Sequence, residues 1–283
     1  MADTSVLRVR MTAQSIRLQN SGRRPRRIGH AQNNMRIIIN GLATEYLDEG
    51  RGKTLLLLHG WQDNLHTFDK LAAKLAEKYR VVRLDLPGFG ETETPRRAWN
   101  LEDYAEFISA FCRKLGIQVF CIIGHSLGGR ISIKSLSGSI LNTEKLVLIA
   151  SAGVAKRNPV RSGALLALAR IGNAAFSIPP LRNLKGSVRR SFYKAIGSDY
   201  EAAGKLRGTF QNIIREDLSD AAKKIAAPTL LIWGHLDRET PLFDGQRLSN
   251  LIRGSRIEIV EGAGHFVHRE RTGRVADLIL HFL

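Results

Sequence analysis

Cysteine is nearly absent: the 283 residues contain two, Cys112 and Cys121. Both fall on apolar patterns, the first in an expected helix and the second in an expected strand. Buried cysteine ordinarily behaves as a small hydrophobe, so free buried thiols in a reducing compartment are expected rather than a disulfide framework. Cysteine and histidine pairs at the spacing of structural zinc sites are missing, as is a Walker phosphate loop. The glycines around Ser126 do not meet the Gly-x-Gly-x-x-Gly spacing of a dinucleotide fingerprint, so no metal and no cofactor is implied. Long apolar runs are lacking too. The longest candidate, Gly163 to Leu181, is broken by Arg170, Asn173 and the Pro179-Pro180 pair, which leaves no membrane span and the expectation of a soluble, cytoplasmic protein. No internal repeat is visible.

Acidic residues are in short supply: 26 Asp and Glu face 43 Lys and Arg, a formal net charge of +17. Such a surplus invites nucleic acid or an anionic membrane as a partner, but its distribution argues otherwise. Residues 1–34 hold seven arginines and one aspartate, a net of +6, and the remainder is spread over several segments. The one dense cluster, Arg23-Arg24-Pro25-Arg26-Arg27, has no interleaved aromatic residue on which a base could stack, and no nucleic-acid recognition motif accompanies it. This N-terminal arm lacks hydrophobic periodicity and is expected to be disordered. It shares the arginine-rich, acid-poor composition of a transit peptide, against which stand Asp3 and its scattered apolar positions. The favoured reading is an upstream start codon, with Met35 as the natural first residue.

What is present is enough apolar residue, 43% of the chain, for one large domain or a core domain with an insertion. From Arg36 short apolar runs alternate with amphipathic stretches, the pattern of a mostly parallel, doubly wound α/β sheet. Ile37 to Ile39 and Ala43 to Leu47, split at Asn40-Gly41, predict a hairpin. Further strands are expected at Thr54 to Leu58, Val81 to Leu86, Val119 to Ile123, Lys145 to Ala150, Thr229 to Trp233 and Arg256 to Val260. Helices are expected over Thr67 to Lys78, Leu101 to Leu115 with Asn100 as its cap, the segment after Ser126, and Arg274 to Phe282. Between residues 151 and 219 the strand rhythm stops, leaving helical propensity with turn breaks at Pro159, Pro179-Pro180 and Gly197. So long a stretch in a compact domain is an inserted helical cap, dividing the core into 35–150 and 220–283. It leaves the sheet just after a strand, at the carboxyl end where open parallel sheets bind ligands, so it is expected to lie over the site as a lid.

The chemistry-bearing signal is Gly124-His125-Ser126-Leu127-Gly128. It follows the buried run Val119 to Ile123 and precedes a helical pattern through Ile131, Ile133 and Leu136. A serine at a tight strand-to-helix turn has strained backbone angles, and only small residues two before and two after let the turn close. The turn lifts the Ser126 hydroxyl off the sheet and leaves the Leu127 N–H at a helix N-terminus. A serine hydroxyl needs a base, and the base an orienting acid. His265 stands on a glycine-rich loop just past one strand, in Glu261-Gly262-Ala263-Gly264-His265, and Asp237 just past another, in Trp233-Gly234-His235-Leu236-Asp237.

With these stretches in place the chain resembles the α/β-hydrolase fold family over Arg36 to Leu283, with Ser126, Asp237 and His265 in that family's order of nucleophile, acid and base. Leu58-His59-Gly60-Trp61 is similar to the family's first loop, and the resemblance implies that the Trp61 N–H joins the Leu127 N–H as an oxyanion hole. Among other candidates, His125 and His59 are expected as packing and hydrogen-bonding neighbours, and His268 as a loop stabiliser. Asp85 is expected to brace a turn. His235 is a weaker rival for base, Asp63 and Asp244 weaker rivals for acid. A serine at the elbow, where the family's dehalogenases and epoxide hydrolases carry aspartate, implies hydrolysis of a small to medium, mainly apolar carboxylic ester through an acyl-enzyme. Carbon–carbon bond hydrolysis of the meta-cleavage type is the alternative, and a non-catalytic binding protein a second. In the insertion, Leu165, Leu166, Leu168, Ile171 and Phe176 are candidates to face a pocket, and Lys156, Arg157, Arg161, Arg189 and Arg190 to attract an anion. A small-molecule partner is expected, and oligomeric state carries no sequence signal.

Overall fold

A computed structural model describes residues 34–151, 153 and 204–283. The chain divides after Gln32, and every described residue belongs to the second unit, Asn33–Leu283. The basic arm through residue 33, with its transit-peptide and start-codon readings, lies outside the described residues, as do residue 152 and residues 154–203 of the expected cap with the apolar and basic candidates named there.

Strands β1 (Met35–Ile39) and β2 (Leu42–Glu49) form the expected hairpin. Its turn residues Asn40 and Gly41 have φ of +48° and +82°, the positive values a two-residue hairpin turn demands and an Asn-Gly pair tolerates. Strands β3 (Thr54–Leu58), β4 (Arg80–Leu84), β5 (Val119–His125), β6 (Lys145–Ile149), β7 (Thr229–Gly234) and β8 (Arg256–Val260) complete an eight-stranded sheet of order β1-β2-β4-β3-β5-β6-β7-β8. The pairings of β1 with β2 and β2 with β4 are antiparallel, and the rest are parallel. The described helices are α1 (Asp69–Leu75), α2 (Leu101–Leu115), α3 (Leu127–Ser137), α4 (Arg207–Arg215), α5 (Ser219–Ala222), α6 (Leu242–Leu251), α7 (Val267–Glu270) and α8 (Thr272–Phe282).

Parallel strands covered on both faces read as continuous apolar runs, and the pleat sends alternate residues to opposite cores. Leu56, Leu58, Ile122, Leu148 and Trp233 enter a core shared with Tyr104, Phe107 and Phe111 of α2, Ile131 of α3 and Leu248 of α6. Leu55, Leu57, Ile123, Ile149 and Ile232 face the other way, onto Leu71 and Leu75 of α1 and Val275 and Ile279 of α8. Helix α2 begins where expected because Asn100 and Asp103 form a reciprocal capping box, each side chain accepting the other's backbone N–H at 2.9 Å.

Several boundaries differ from expectation. The helix expected over Thr67 to Lys78 is a 3-10 turn, Leu65–Phe68, followed by α1. It stops at Leu75 because Arg80 must already pair with Lys53 (N···O 3.1 Å) to start β4. Strand β4 ends at Leu84 rather than Leu86: the Leu86 N–H is taken by His59 Nε2 at 2.9 Å and so leaves the ladder. Strand β6 ends before Ala150, whose φ of +43° breaks the extended backbone. Helices α6 and α7 had no counterpart in the sequence reading.

Candidate active site

Ser126 sits between β5 and α3 with φ +48° and ψ −108°, a conformation that costs a non-glycine residue roughly 1–3 kcal/mol and persists only where its surroundings impose it. The imposing contacts are backbone. A Cβ on Gly128 would stand 2.0 Å from the Leu58 carbonyl oxygen, and one on Gly124 would stand 2.6 Å from the Gly128 carbonyl. Two further non-glycine residues with positive φ, Gln62 at +53° and Ala150 at +43°, follow the carboxyl ends of β3 and β6, at the same end of the sheet as Ser126. There Leu127 opens α3, in the first turn of a helix, where backbone N–H groups have no intrahelical acceptor. A Cβ on Gly60 would lie 3.4 Å from Ser126 Cβ, which brings the backbone leading into Trp61 against the elbow. The Trp61 ring packs edge-on against Phe89 and beside Phe210 of α4, with ring centroids 4.9 and 5.0 Å away.

Asp237 and His265 follow β7 and β8. Gly234 lets their loops touch, since a Cβ there would be 2.2 Å from the Gly264 carbonyl oxygen, and the Leu236 N–H donates to the Ala263 carbonyl at 2.8 Å. Both residues are buried. His265 Nδ1 donates to Asp237 Oδ2 at 2.9 Å. Asp237 Oδ1 accepts the N–H groups of Glu239 and Thr240, each at 2.9 Å. The Thr240 hydroxyl lies 2.8 Å from Asp237 Oδ2, with the Ala150 carbonyl as its other acceptor at 3.1 Å. With its proton held on Nδ1, the imidazole offers Nε2 as the basic nitrogen. No hydrogen bond joins Ser126 to His265 among the described residues, and Nε2 instead has the Glu239 carboxylate 3.4 Å away. The elbow and the base loop are tied through His125, next to the serine, whose Nε2–H donates to the His265 backbone carbonyl at 3.1 Å.

The remaining histidines separate clearly. His59 donates from Nδ1 to the Gly60 carbonyl at 2.8 Å and accepts from Leu86 N–H on Nε2, which makes it neutral and bracing. His268 Nε2 meets the Thr67 hydroxyl at 3.0 Å, and its ring lies 4.4 Å from that of His125. Burial pushes the pKa of all three down: that of His59 is lowered, that of His125 falls well below the usual range with help from neighbouring His268 and His265, and that of His268 falls to about 3, helped by the Arg269 charge. His235 instead pairs with Glu261 at 2.7 Å on the exposed surface. Asp85 braces its turn, accepting the N–H groups of Leu65 at 2.7 Å and Glu91 at 2.8 Å. Asp63 accepts the Asn64 N–H, and Asp244 lies in the first turn of α6. Thr240 and Glu239 went unnoticed in the sequence. The usable signal was local: an aspartate whose oxygen takes the N–H groups two and three residues on is an Asx turn, so the residue three beyond Asp237 is carried back against it.

The sheet order, the strained serine at the end of β5 and the paired residues after β7 and β8 coincide with a match of residues 55–278 to the model of the alpha/beta hydrolase family. The chain belongs to the alpha/beta hydrolase family. Among its relatives, the magnesium-chelatase 30 kDa subunit of Rhodobacter capsulatus is 30% identical over 251 residues, covering 82% of this chain and 87% of the relative. A 2-hydroxy-6-oxononadienedioate/2-hydroxy-6-oxononatrienedioate hydrolase of Klebsiella pneumoniae is 27% identical over 266 residues, covering 83% and 89%. The crystal structure of a membrane phospholipase A, a bacterial virulence factor, superposes with a TM-score of 0.69 at 25% identity, covering 88% of this chain and 84% of that one. Among the described residues of this alpha/beta hydrolase, no helix is long and apolar enough to cross a membrane.

Proposed function

We propose that this alpha/beta hydrolase cleaves a small to medium, mainly apolar carboxylic ester through an acyl-enzyme on Ser126. The observation that carries the reading is the buried His265–Asp237 pair, at 2.9 Å, with every Asp237 oxygen engaged so that the imidazole keeps one tautomer and one orientation. Ser126 Oγ bonds to the ester carbon as its proton passes to His265 Nε2, and the carbonyl electron pair moves onto oxygen. The N–H groups of Trp61 and Leu127 receive that oxyanion, and the loss of one such donor typically costs about 3 kcal/mol of transition-state stabilisation. Collapse breaks the bond to the alcohol, which leaves with the proton from Nε2. Water then repeats the sequence against the acyl-enzyme, and Asp237 stabilises the imidazolium formed in each half.

The aromatic wall of Trp61, Phe89 and Phe210 supports an apolar acyl site. In this reading 151–219 is the lid, residues 1–34 are an arm outside the catalytic core, and the partner is a small molecule. The Klebsiella relative favours a second reading, carbon–carbon bond hydrolysis with the same residues.

Labelling with an active-site fluorophosphonate tests the core of the proposal. Wild type should be labelled and Ser126→Ala should not, and a folded wild type that resists labelling points to a non-catalytic binding protein. Turnover of p-nitrophenyl esters beside a coloured dienoate separates the two hydrolase readings, because efficient turnover of the dienoate alone would displace the ester.

A further inference from the structure

In the acyl-enzyme reading the proton that leaves Ser126 passes to His265 Nε2, and the carboxylate of Glu239 stands 3.4 Å from that nitrogen. Glu239 is held there by its backbone, whose N–H donates to Asp237 Oδ1 at 2.9 Å, while its side chain stays 64% exposed. It therefore stands on the solvent side of the base, where a substrate must arrive, and it is not the orienting acid, which occupies Nδ1.

No described cation offsets this carboxylate at the imidazole. Among the described residues, the rings packed beside His265 are those of His125, at 4.8 Å, and Phe266, at 5.4 Å. Burial keeps His125 neutral, and it does the same for His268 behind it. Arg269 lies over the Phe266 ring, 5.4 Å from its centroid, and on the loop before His265 the Glu270 carboxylate, accepting the Gly264 N–H at 2.7 Å, is matched by the Arg271 guanidinium, donating to the Gly262 carbonyl at 3.1 Å. Thus an incoming group meets the Glu239 carboxylate on the open side of an imidazole whose other side is held by the buried Asp237, on a chain whose overall charge is strongly positive.

We propose that Glu239 is a specificity-determining residue that discriminates by charge, disfavouring esters with an anionic group near the scissile bond and favouring neutral or cationic ones. The inference rests on the acyl-enzyme reading above. Like charges within a few ångströms of each other at a partly solvated site disfavour association, and the effect weakens as salt shortens the screening length. Partial exposure limits the discrimination to about tenfold per substrate charge.

The test compares kcat/KM for three p-nitrophenyl esters of matched acyl size whose far end is neutral, carboxylate or trimethylammonium, on wild type, Glu239→Gln and Glu239→Asp. In wild type the cationic ester should exceed the anionic one. Glu239→Gln should raise the anionic-to-neutral ratio about tenfold and lower the cationic-to-neutral ratio, Glu239→Asp should retain the wild-type order, and the wild-type discrimination should shrink at 0.5 M salt. A purely structural role for Glu239 would move all three esters together. If the neutral ester turns over and Glu239→Gln leaves both ratios unchanged, the charge role is wrong while the acyl-enzyme reading stands. If wild type turns over none of the esters and resists phosphonylation, that reading fails and takes this inference with it.

Discussion

Removing the Thr240 hydroxyl is the sharpest test of how the base is held. Thr240→Val preserves the shape of the side chain and the residue's backbone N–H bond to Asp237 Oδ1, at 2.9 Å, and deletes only the hydroxyl that lies 2.8 Å from Asp237 Oδ2. A hydrogen bond to a charged group contributes about 1.5–3 kcal/mol. Since the single hydroxyl proton is shared with the Ala150 carbonyl, a destabilisation of about 2 kcal/mol is expected. In a domain of this size each kcal/mol moves Tm by roughly 2–4 °C, so calorimetry should show a fall of about 6 °C. Catalysis should suffer as well, because the carboxylate that orients the imidazole loses one of its fixed contacts. A drop of about tenfold in kcat with little change in KM is expected on a p-nitrophenyl ester, equivalent to about 1.4 kcal/mol of transition-state energy. Thr240→Ser should recover most of the activity. Wild-type kcat and Tm in Thr240→Val, or equal losses in the serine and valine variants, would refute the argument, the latter by showing that the position is sensitive to any change of side chain rather than to loss of the hydroxyl.

Gly128→Ala should cost about 2–3 kcal/mol in urea unfolding and disable the elbow, because the new methyl would stand 2.0 Å from a backbone oxygen that cannot move aside. Gly273→Ala, at a helical position with nothing within 4 Å, should instead stabilise by about 0.5 kcal/mol. Acid should weaken the fold through the buried histidines. Their folded-state pKa is lowered, so the unfolded chain binds more protons, and stability present above the unfolded pKa near 6.5 is lost as pH falls toward the folded value, about 3 for His268. At pH 5.5 the loss should be about 1.4 kcal/mol for each fully neutral buried histidine, and His268→Gln should flatten the urea-midpoint profile between pH 7.5 and 5.5; an unchanged slope would contradict it. Finally, Cys112 and Cys121 are buried free thiols, with burial pushing the Cys112 pKa up to about 12 and that of Cys121 up as well. A thiol reagent at pH 8 should titrate neither in the native protein and both in guanidinium.

The strands of the sheet centre were legible because a parallel strand buried on both faces has no polar side to blur its pattern, as in Leu55 to Leu58 and Ile122 to Ile123. Helix α2 was legible for a different reason: its capping box and apolar stripe are local. The short helices α6 and α7 left little trace, since fewer than three turns supply too few periods and their apolar residues, such as Leu248 and Val267, matter only against the sheet.

The same division runs through the candidate site. By itself the sequence determined the fold class, the strained serine between small residues, and the order of Ser126, Asp237 and His265, because each depends on residues within a few positions of one another or on their order along the chain. Only the tertiary structure decided what surrounds His265. Thr240 behind Asp237, His125 beneath the His265 carbonyl and Glu239 before Nε2 arise from loops at the ends of β5, β7 and β8, and loop backbones set side-chain direction through turns and contacts between distant segments rather than through any periodic pattern.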